Sequence, residues 1–328
     1  MRFTPVQVVS EAILGMATEL RNLAYSANII KKTKLDNLKV ISVGNLSFGG
    51  TGKTPFVAYL AERLPDSMVL CRAYRASLKK DLKEVFPSDK ASEVGDEASM
   101  LKDRLKNRVF SCRTKWLGAS LISQKNEEGT LIVDDAFQHR KLDRDLDIVL
   151  IDASKSIDEL KFPPVGRARE TAASLRRADI IVLTKITNKG PHFIELKNFL
   201  KGFGVPIIET KYNIVFQTEN RAFKSYVQIS AIGNPQHLRK SLESLGIPIE
   251  KQYDFSDHHP YQSSDLDEVQ TYLSNHPEVG LITTAKDYTK LKSLMLAENL
   301  LKTVVVDQSV EIIEGGGELD AALSSLYS

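Results

Sequence analysis

Residues 47–54 read Ser-Phe-Gly-Gly-Thr-Gly-Lys-Thr, which fits GxxxxGK[ST] with Ser47 in place of the first glycine. Gly49, Gly50 and Gly52 let successive backbone N–H groups, including those of Phe48 and Thr51, converge on phosphate oxygens. The run LKVISV precedes the loop and FVAYLAERL follows it, so the loop joins a strand to a helix whose N-terminal dipole favours an anion. Lys53 is then expected on the β- and γ-phosphates, with the Thr54 hydroxyl on Mg²⁺. Phe48 stands where dimerising partition-type ATPases carry lysine, which disfavours that class. The nearest approach to a guanine-reading NKxD is Thr184-Lys185-Ile186-Thr187, which lacks the carboxylate, so ATP is the expected nucleotide.

A second constellation is acidic. The apolar run 131–133 leads directly into Asp134 and Asp135, the pattern of a strand delivering carboxylates to a metal at the phosphate edge. Neighbours on an extended strand point to opposite faces, which predicts one acid for the metal and the other for substrate or solvent. Gln138 and His139 follow closely enough to touch substrate. Asp96 and Glu97, in Val94-Gly95-Asp96-Glu97, precede a helical pattern and on chemistry alone read as helix-start charges. Asp257-His258-His259-Pro260 is the one histidine cluster; adjacent histidines diverge, and a His beside an Asp reads as a proton relay or a surface loop. His192, His237 and His276 are isolated and read as surface residues.

These residues need a scaffold. Short apolar runs at 39–43, 68–71, 109–112, 131–133, 147–151, 180–183 and 206–208 alternate with longer amphipathic stretches. That rhythm predicts an α/β fold: a P-loop NTPase-like, mostly parallel sheet with helices on both faces and ligands at the carboxyl ends of its strands. After a polar stretch at 211–224 the rhythm resumes, which predicts a second, smaller α/β domain. The expected boundaries are 1–35 for an N-terminal helix, 36–215 for the P-loop domain and 216–328 for the C-terminal domain.

Composition narrows the function classes. The 328 residues are 42% hydrophobic and 26% charged, ordinary for a globular protein. Lys+Arg 44 against Asp+Glu 42 gives no global basic charge to support nucleic-acid binding. Cys71 and Cys112 have no metal-ligand spacing, and a reducing compartment is expected. No apolar run is long enough to cross a bilayer, and Glu11 and Glu19 interrupt any secretory core near the start.

The first forty residues hold an amphipathic pattern. Thr4 can cap, Pro5 suits the first helical position, Gln7 can reach back, and Val6, Val9, Ile13, Met16, Leu20 and Leu23 share one face. Periodicity favours packing of that face on the protein core. The six basic and three acidic residues here, net +3, also suit an anionic membrane surface.

Taken together, VGNLSFGGTGKTP, VGDE, DDAFQH, VGRARE, LTK, IGNP, FSDHH and TTAKD stand in an order and spacing that resembles the tetraacyldisaccharide 4′-kinase family, over about residues 40–290. The resemblance implies transfer of the ATP γ-phosphate to the 4′-hydroxyl of an acylated glucosamine disaccharide 1-phosphate, a lipid A precursor, at the cytoplasmic face of the inner membrane of a Gram-negative bacterium. It implies Lys53 and Thr54 on nucleotide and metal, and Asp134 and Asp135 on Mg²⁺ and the phosphoryl path. Asp96 becomes the base, working with His258. Glu97 falls on a family position near the metal, and Arg72, Gln138, His139, Arg169 and Glu170 near substrate. The N-terminal helix becomes a peripheral membrane contact; no protein partner is implied. Two other readings are a nucleotide-switch NTPase of the metallochaperone kind, and a P-loop kinase of a soluble small molecule.

Overall fold

The computed structural model describes residues 5–74, 76–125, 127–163, 165–217 and 223–327, with backbone only over 5–14. Twelve strands form one sheet: β1 (Leu38–Asn45), β2 (Met68–Arg72), β3 (Leu82–Glu84), β4 (Arg108–Cys112), β5 (Gly129–Asp134), β6 (Leu146–Asp152), β7 (Ile180–Thr184), β8 (Ile207–Phe216), β9 (Ser225–Ser230), β10 (Ile249–Asp254), β11 (Val279–Thr284) and β12 (Thr303–Glu314). Their order is β10-β9-β11-β12-β8-β7-β6-β1-β5-β2-β4-β3. All neighbouring pairs are parallel except β8 with β12 and β3 with β4. The expected mostly parallel α/β sheet is therefore the architecture.

The helices are α1 (Pro5–Ser26), α2 (Lys53–Arg63), α3 (Ala91–Val94), α4 (Asp96–Arg104), α5 (Lys115–Ser123), α6 (Pro191–Lys201), α7 (Pro235–Ser244), α8 (Asp267–Asn275), α9 (Ala285–Leu291), α10 (Ala297–Leu301) and α11 (Gly316–Ser325). α2 buries Phe56, Val57 and Leu60 against Ile41 and Ile132, which holds the first turn after the glycine-rich loop to the sheet. A second core, built on Val227, Ile229, Val269, Leu273 and Leu281, lies at the far end.

The first part of the polar stretch after residue 211 is strand. β8 continues through Phe216 and pairs antiparallel with β12, so a long two-stranded ribbon joins the two halves into one sheet. Its mixed burial explains the weak hydrophobic signal, because a ribbon with exposed positions need not be apolar throughout. The chain also returns: Leu319, Leu323 and Leu326 of the C-terminal stretch join the Ile41 core of the first half.

α1 begins at Pro5 as expected, while Thr4 and the side chains of Val6, Val9 and Ile13 lie outside the described residues. The described part of its apolar stripe does not pack on the core: Met16, Leu20 and Leu23 are 59%, 67% and 61% exposed. The helix docks by its polar residues instead. Asn22 Nδ2 donates to Glu170 at 2.8 Å, Arg21 pairs with Glu170 at 3.1 Å, and Arg140 donates to the Asn22 carbonyl.

Candidate active site

β1 ends in the glycine-rich loop at the carboxyl edge of the sheet, between β5 and β6. Gly44 lets this strand end lie against the segment after β5; a Cβ there would collide with Phe137. Gly52 caps α2 with φ +86°, a conformation that disfavours side chains, and Tyr212 fills the space a Cβ would need. The Tyr212 hydroxyl donates to the Gly52 carbonyl at 2.8 Å, and Thr184 Oγ1 donates to that of Thr51 at 2.9 Å. Lys185 bonds the Gly50 carbonyl and pairs with Asp152 at 2.7 Å. Thr184 at the end of β7, Lys185 just after it and Tyr212 on β8 thus occupy the carbonyls of Thr51, Gly50 and Gly52, while the Phe48 N–H donates to the Arg167 carbonyl at 2.7 Å and the Thr51 N–H to the Gly49 carbonyl at 3.1 Å. In Thr184–Lys185 the family-like LTK motif braces the loop.

Lys53 Nζ lies 3.4 Å from Asp135 Oδ1. β5 stops at Asp134, and Asp135 takes φ +52°, so the two acids do not diverge as extended-strand neighbours would. Both feel the Lys53 charge. Their environments differ. Burial pushes the Asp134 carboxyl up to about 6 against the pull of Lys53, and its Oδ1 has no hydrogen-bond partner among the described residues. Burial also opposes ionisation of Asp135, but Lys53, Lys115 and Arg169 outweigh it and hold that carboxyl at about 2. Arg169 Nη1 donates to Asp135 Oδ1 at 2.9 Å, and its guanidinium lies over the Phe48 ring.

Lys115 had no sequence signal. It is 1% exposed at the start of α5, and Nζ bonds the Asp135 carbonyl. Gln138 Nε2 donates to the Asn45 carbonyl at 2.9 Å. Burial, reinforced by Lys115, pulls His139 down to about 4, so it is a neutral imidazole at physiological pH. Arg72 ends β2 and opens a polar cleft shared with Lys79 and Arg113.

Glu170 does not face that edge. It is completely buried, bound by Arg21, Asn22 and Arg177, the last at 3.0 Å. The resemblance placed it near substrate; its carboxylate is instead taken up by Arg21 and Asn22 of α1 and by Arg177.

Asp96 and His258 meet although 162 residues separate them: His258 Nδ1 stands 3.0 Å from Asp96 Oδ2. Gly95, at φ +96°, turns the chain so that Asp96 opens α4. His258 itself has φ +64°. Lys290 Nζ also reaches Asp96 Oδ2, at 2.6 Å. Burial would raise the Asp96 carboxyl, but His258 and Lys290 outweigh it and the net shift is downward. Glu97 lies 3.9 Å from His258 and contributes to the raised Asp134, so it bridges the two acidic groups electrostatically. His259 turns away to Asp265 at 2.9 Å, as adjacent histidines should.

The fold and this loop, with its half-buried lysine and paired acids, define a P-loop nucleotide-binding protein. The family model for Tetraacyldisaccharide-1-P 4′-kinase (LpxK) matches residues 5–327. The chain belongs to that family. The tetraacyldisaccharide 4′-kinase of Bdellovibrio bacteriovorus is 31% identical over 330 residues, covering 95% of this chain and 94% of that one. That of Aquifex aeolicus is 35% identical over 286 residues, covering 83% and 85%. A crystal structure of the Aquifex aeolicus protein in complex with ATP superposes with a TM-score of 0.77 at 28% identity, covering 98% of this chain and 99% of that chain.

Proposed function

We infer that this protein is an ATP-dependent kinase that phosphorylates the 4′-hydroxyl of tetraacyldisaccharide 1-phosphate. The observation that carries the reading is the convergence of Lys53, Asp134 and Asp135 at the loop, within a chain that matches the kinase family along its length. The loop N–H groups and Lys53 bind the nucleotide phosphates, with Ser47, Phe48, Gly49, Gly50, Thr51, Gly52 and Thr54 forming the cradle.

Mg²⁺ fits here. A buried carboxylate with an unpartnered Oδ1 stands beside the loop, and no three acidic, His or Cys groups among the described residues form a metal cage. Such a sparse donor set suits Mg²⁺, which keeps waters and phosphate oxygens as ligands. Thr54 and Asp134 would hold it, with Glu97 behind them, and it would neutralise charge on the transferring phosphate. Asp135 keeps Lys53 and Arg169 in place.

Asp96 accepts the hydroxyl proton as the sugar oxygen bonds to the γ-phosphorus and the bond to ADP breaks. Its lowered basicity suffices, because a loose phosphoryl-transfer transition state asks more for orientation than for a strong base. His258 holds the carboxylate. Arg72, Gln138, His139 and Arg169 line the acceptor side.

The exposed Met16, Leu20 and Leu23 stripe supports peripheral attachment at the cytoplasmic face of the inner membrane, where the lipid acceptor resides. No described helix is long and apolar enough to cross a membrane. The test is incubation with Mg·ATP and tetraacyldisaccharide 1-phosphate, with mass spectrometry reporting one added phosphate. Phosphorylation of only a soluble sugar, or nucleotide hydrolysis without transfer, would overturn the assignment.

A further inference from the structure

Asp96 carries two donors on the same oxygen. His258 Nδ1 and Lys290 Nζ both meet Oδ2, at 3.0 and 2.6 Å, and no described residue hydrogen-bonds Oδ1. Lys290 is not a loose surface cation: its side chain is 11% exposed, on α9, which packs against α4. One turn earlier on α9, Lys286 Nζ stands 3.2 Å from His258 Nε2 and 3.0 Å from Asp257. An ammonium group only donates, so Nε2 must accept, which leaves the imidazole proton on Nδ1 and pointed at Asp96.

We propose that Lys290 is a positioning residue for phosphoryl transfer: with His258 it pins Oδ2 of Asp96 and so presents Oδ1 as the single oxygen that receives the acceptor's hydroxyl proton. A carboxylate rotates about its terminal bond with little restraint, so one donor fixes it poorly. Two donors from different elements, the 258 loop and α9, fix the plane of the group. The proton balance is simple: the O–H bond breaks as the O–P bond forms, and the proton ends on Asp96 Oδ1 while ADP leaves. Lys286 keeps His258 a donor, so the imidazole orients and does not take the proton itself.

The inference rests on the assignment of Asp96 as the base. Full-length protein carrying Lys290→Met, Lys290→Arg, Asp96→Ala and the Lys290→Met/Asp96→Ala pair is assayed at saturating Mg·ATP and acceptor. Misplacing a reacting group by about 1 Å can cost on the order of 10²-fold, so Lys290→Met is expected to lower kcat by about 10-fold to 10²-fold, with KM for ATP within about twofold. Lys290→Arg should recover most of the loss, and Lys290→Met should cost nothing further once Asp96 is alanine. Unchanged kcat in Lys290→Met, an arginine variant as slow as the methionine one, or a full additional loss in the pair overturns the proposal. Should Lys290→Met fold poorly, Lys290→Gln with a melting curve decides between lost structure and lost orientation: wild-type melting with reduced kcat supports the role, and wild-type kcat ends it. Full turnover by Asp96→Ala removes the base assignment; loss there with normal Lys290→Met removes this inference only.

Discussion

Lys53 Nζ and Asp135 Oδ1 stand 3.4 Å apart, so the loop lysine and the acid after β5 are already matched in charge across the nucleotide edge. Lys115, Arg169 and Lys53 together make that edge cationic around one carboxylate. Replacing Lys53 by alanine removes the charge expected on the β- and γ-phosphates. Turnover should fall by about 10³-fold in the mass-spectrometric assay; a loss of less than tenfold would contradict the assigned role.

Asp96→Ala should lower turnover by about 10²-fold or more, while binding of a non-hydrolysable ATP analogue, followed by calorimetry, stays near that of the native chain. The separation is expected because Asp96 opens α4 and is bonded to His258 in the loop after β10, whereas the phosphate cradle follows β1. Equal loss of nucleotide affinity would place Asp96 in the nucleotide site instead.

His139 gives a pH signature. Its ordinary value is near 6.5, and burial with Lys115 nearby depresses it to about 4 in the folded chain. Between those values the unfolded chain binds a proton that the folded chain refuses, so stability falls as pH drops through this window and is retained above it. The melting temperature should therefore decline less between pH 7 and about pH 4.5 in His139→Gln than in the native protein. Equal declines would show that the imidazole is not held neutral.

Glu170→Ala leaves Arg21 and Arg177 facing a buried gap. Breaking a buried ion pair from one side costs about 3–5 kcal/mol, and the partial exposure of Arg21 puts the expectation at the lower end. Denaturant unfolding measures it, with faster proteolysis near α1 as a second sign. A stability within about 0.5 kcal/mol of the native chain would mean that α1 docks by other contacts.

Leu20→Asp with Leu23→Asp places charges on the exposed stripe of α1 without touching Arg21 or Asn22. Co-sedimentation with anionic phospholipid vesicles should drop several-fold, and circular dichroism should stay unchanged. Persistence of vesicle binding would move the membrane contact to another surface.

Legibility followed distance along the chain. The phosphate loop was readable because its chemistry lies within eight consecutive residues flanked by the strand and helix it needs. The parallel strands were readable from their apolar runs, since both faces are covered. The second halves of β8 and β12 were not, because their exposed positions erase the hydrophobic signal. Lys286 and Lys290 sit one helical turn apart in TTAKDYTK, a spacing that places them on one face, yet nothing local says what that face meets.

The amino-acid order by itself determined the nucleotide cradle, the parallel core and the amphipathic first helix, since each depends on neighbours within one or two elements. Only the tertiary structure decided that Asp135 leaves the strand to meet Lys53 and Arg169, that Glu170 turns inward to hold α1, and that Asp96, which the resemblance already paired with His258, also receives Lys290. Those relationships join residues tens to hundreds of positions apart, and their energies depend on burial and on which charges the packed sheet brings within a few ångströms.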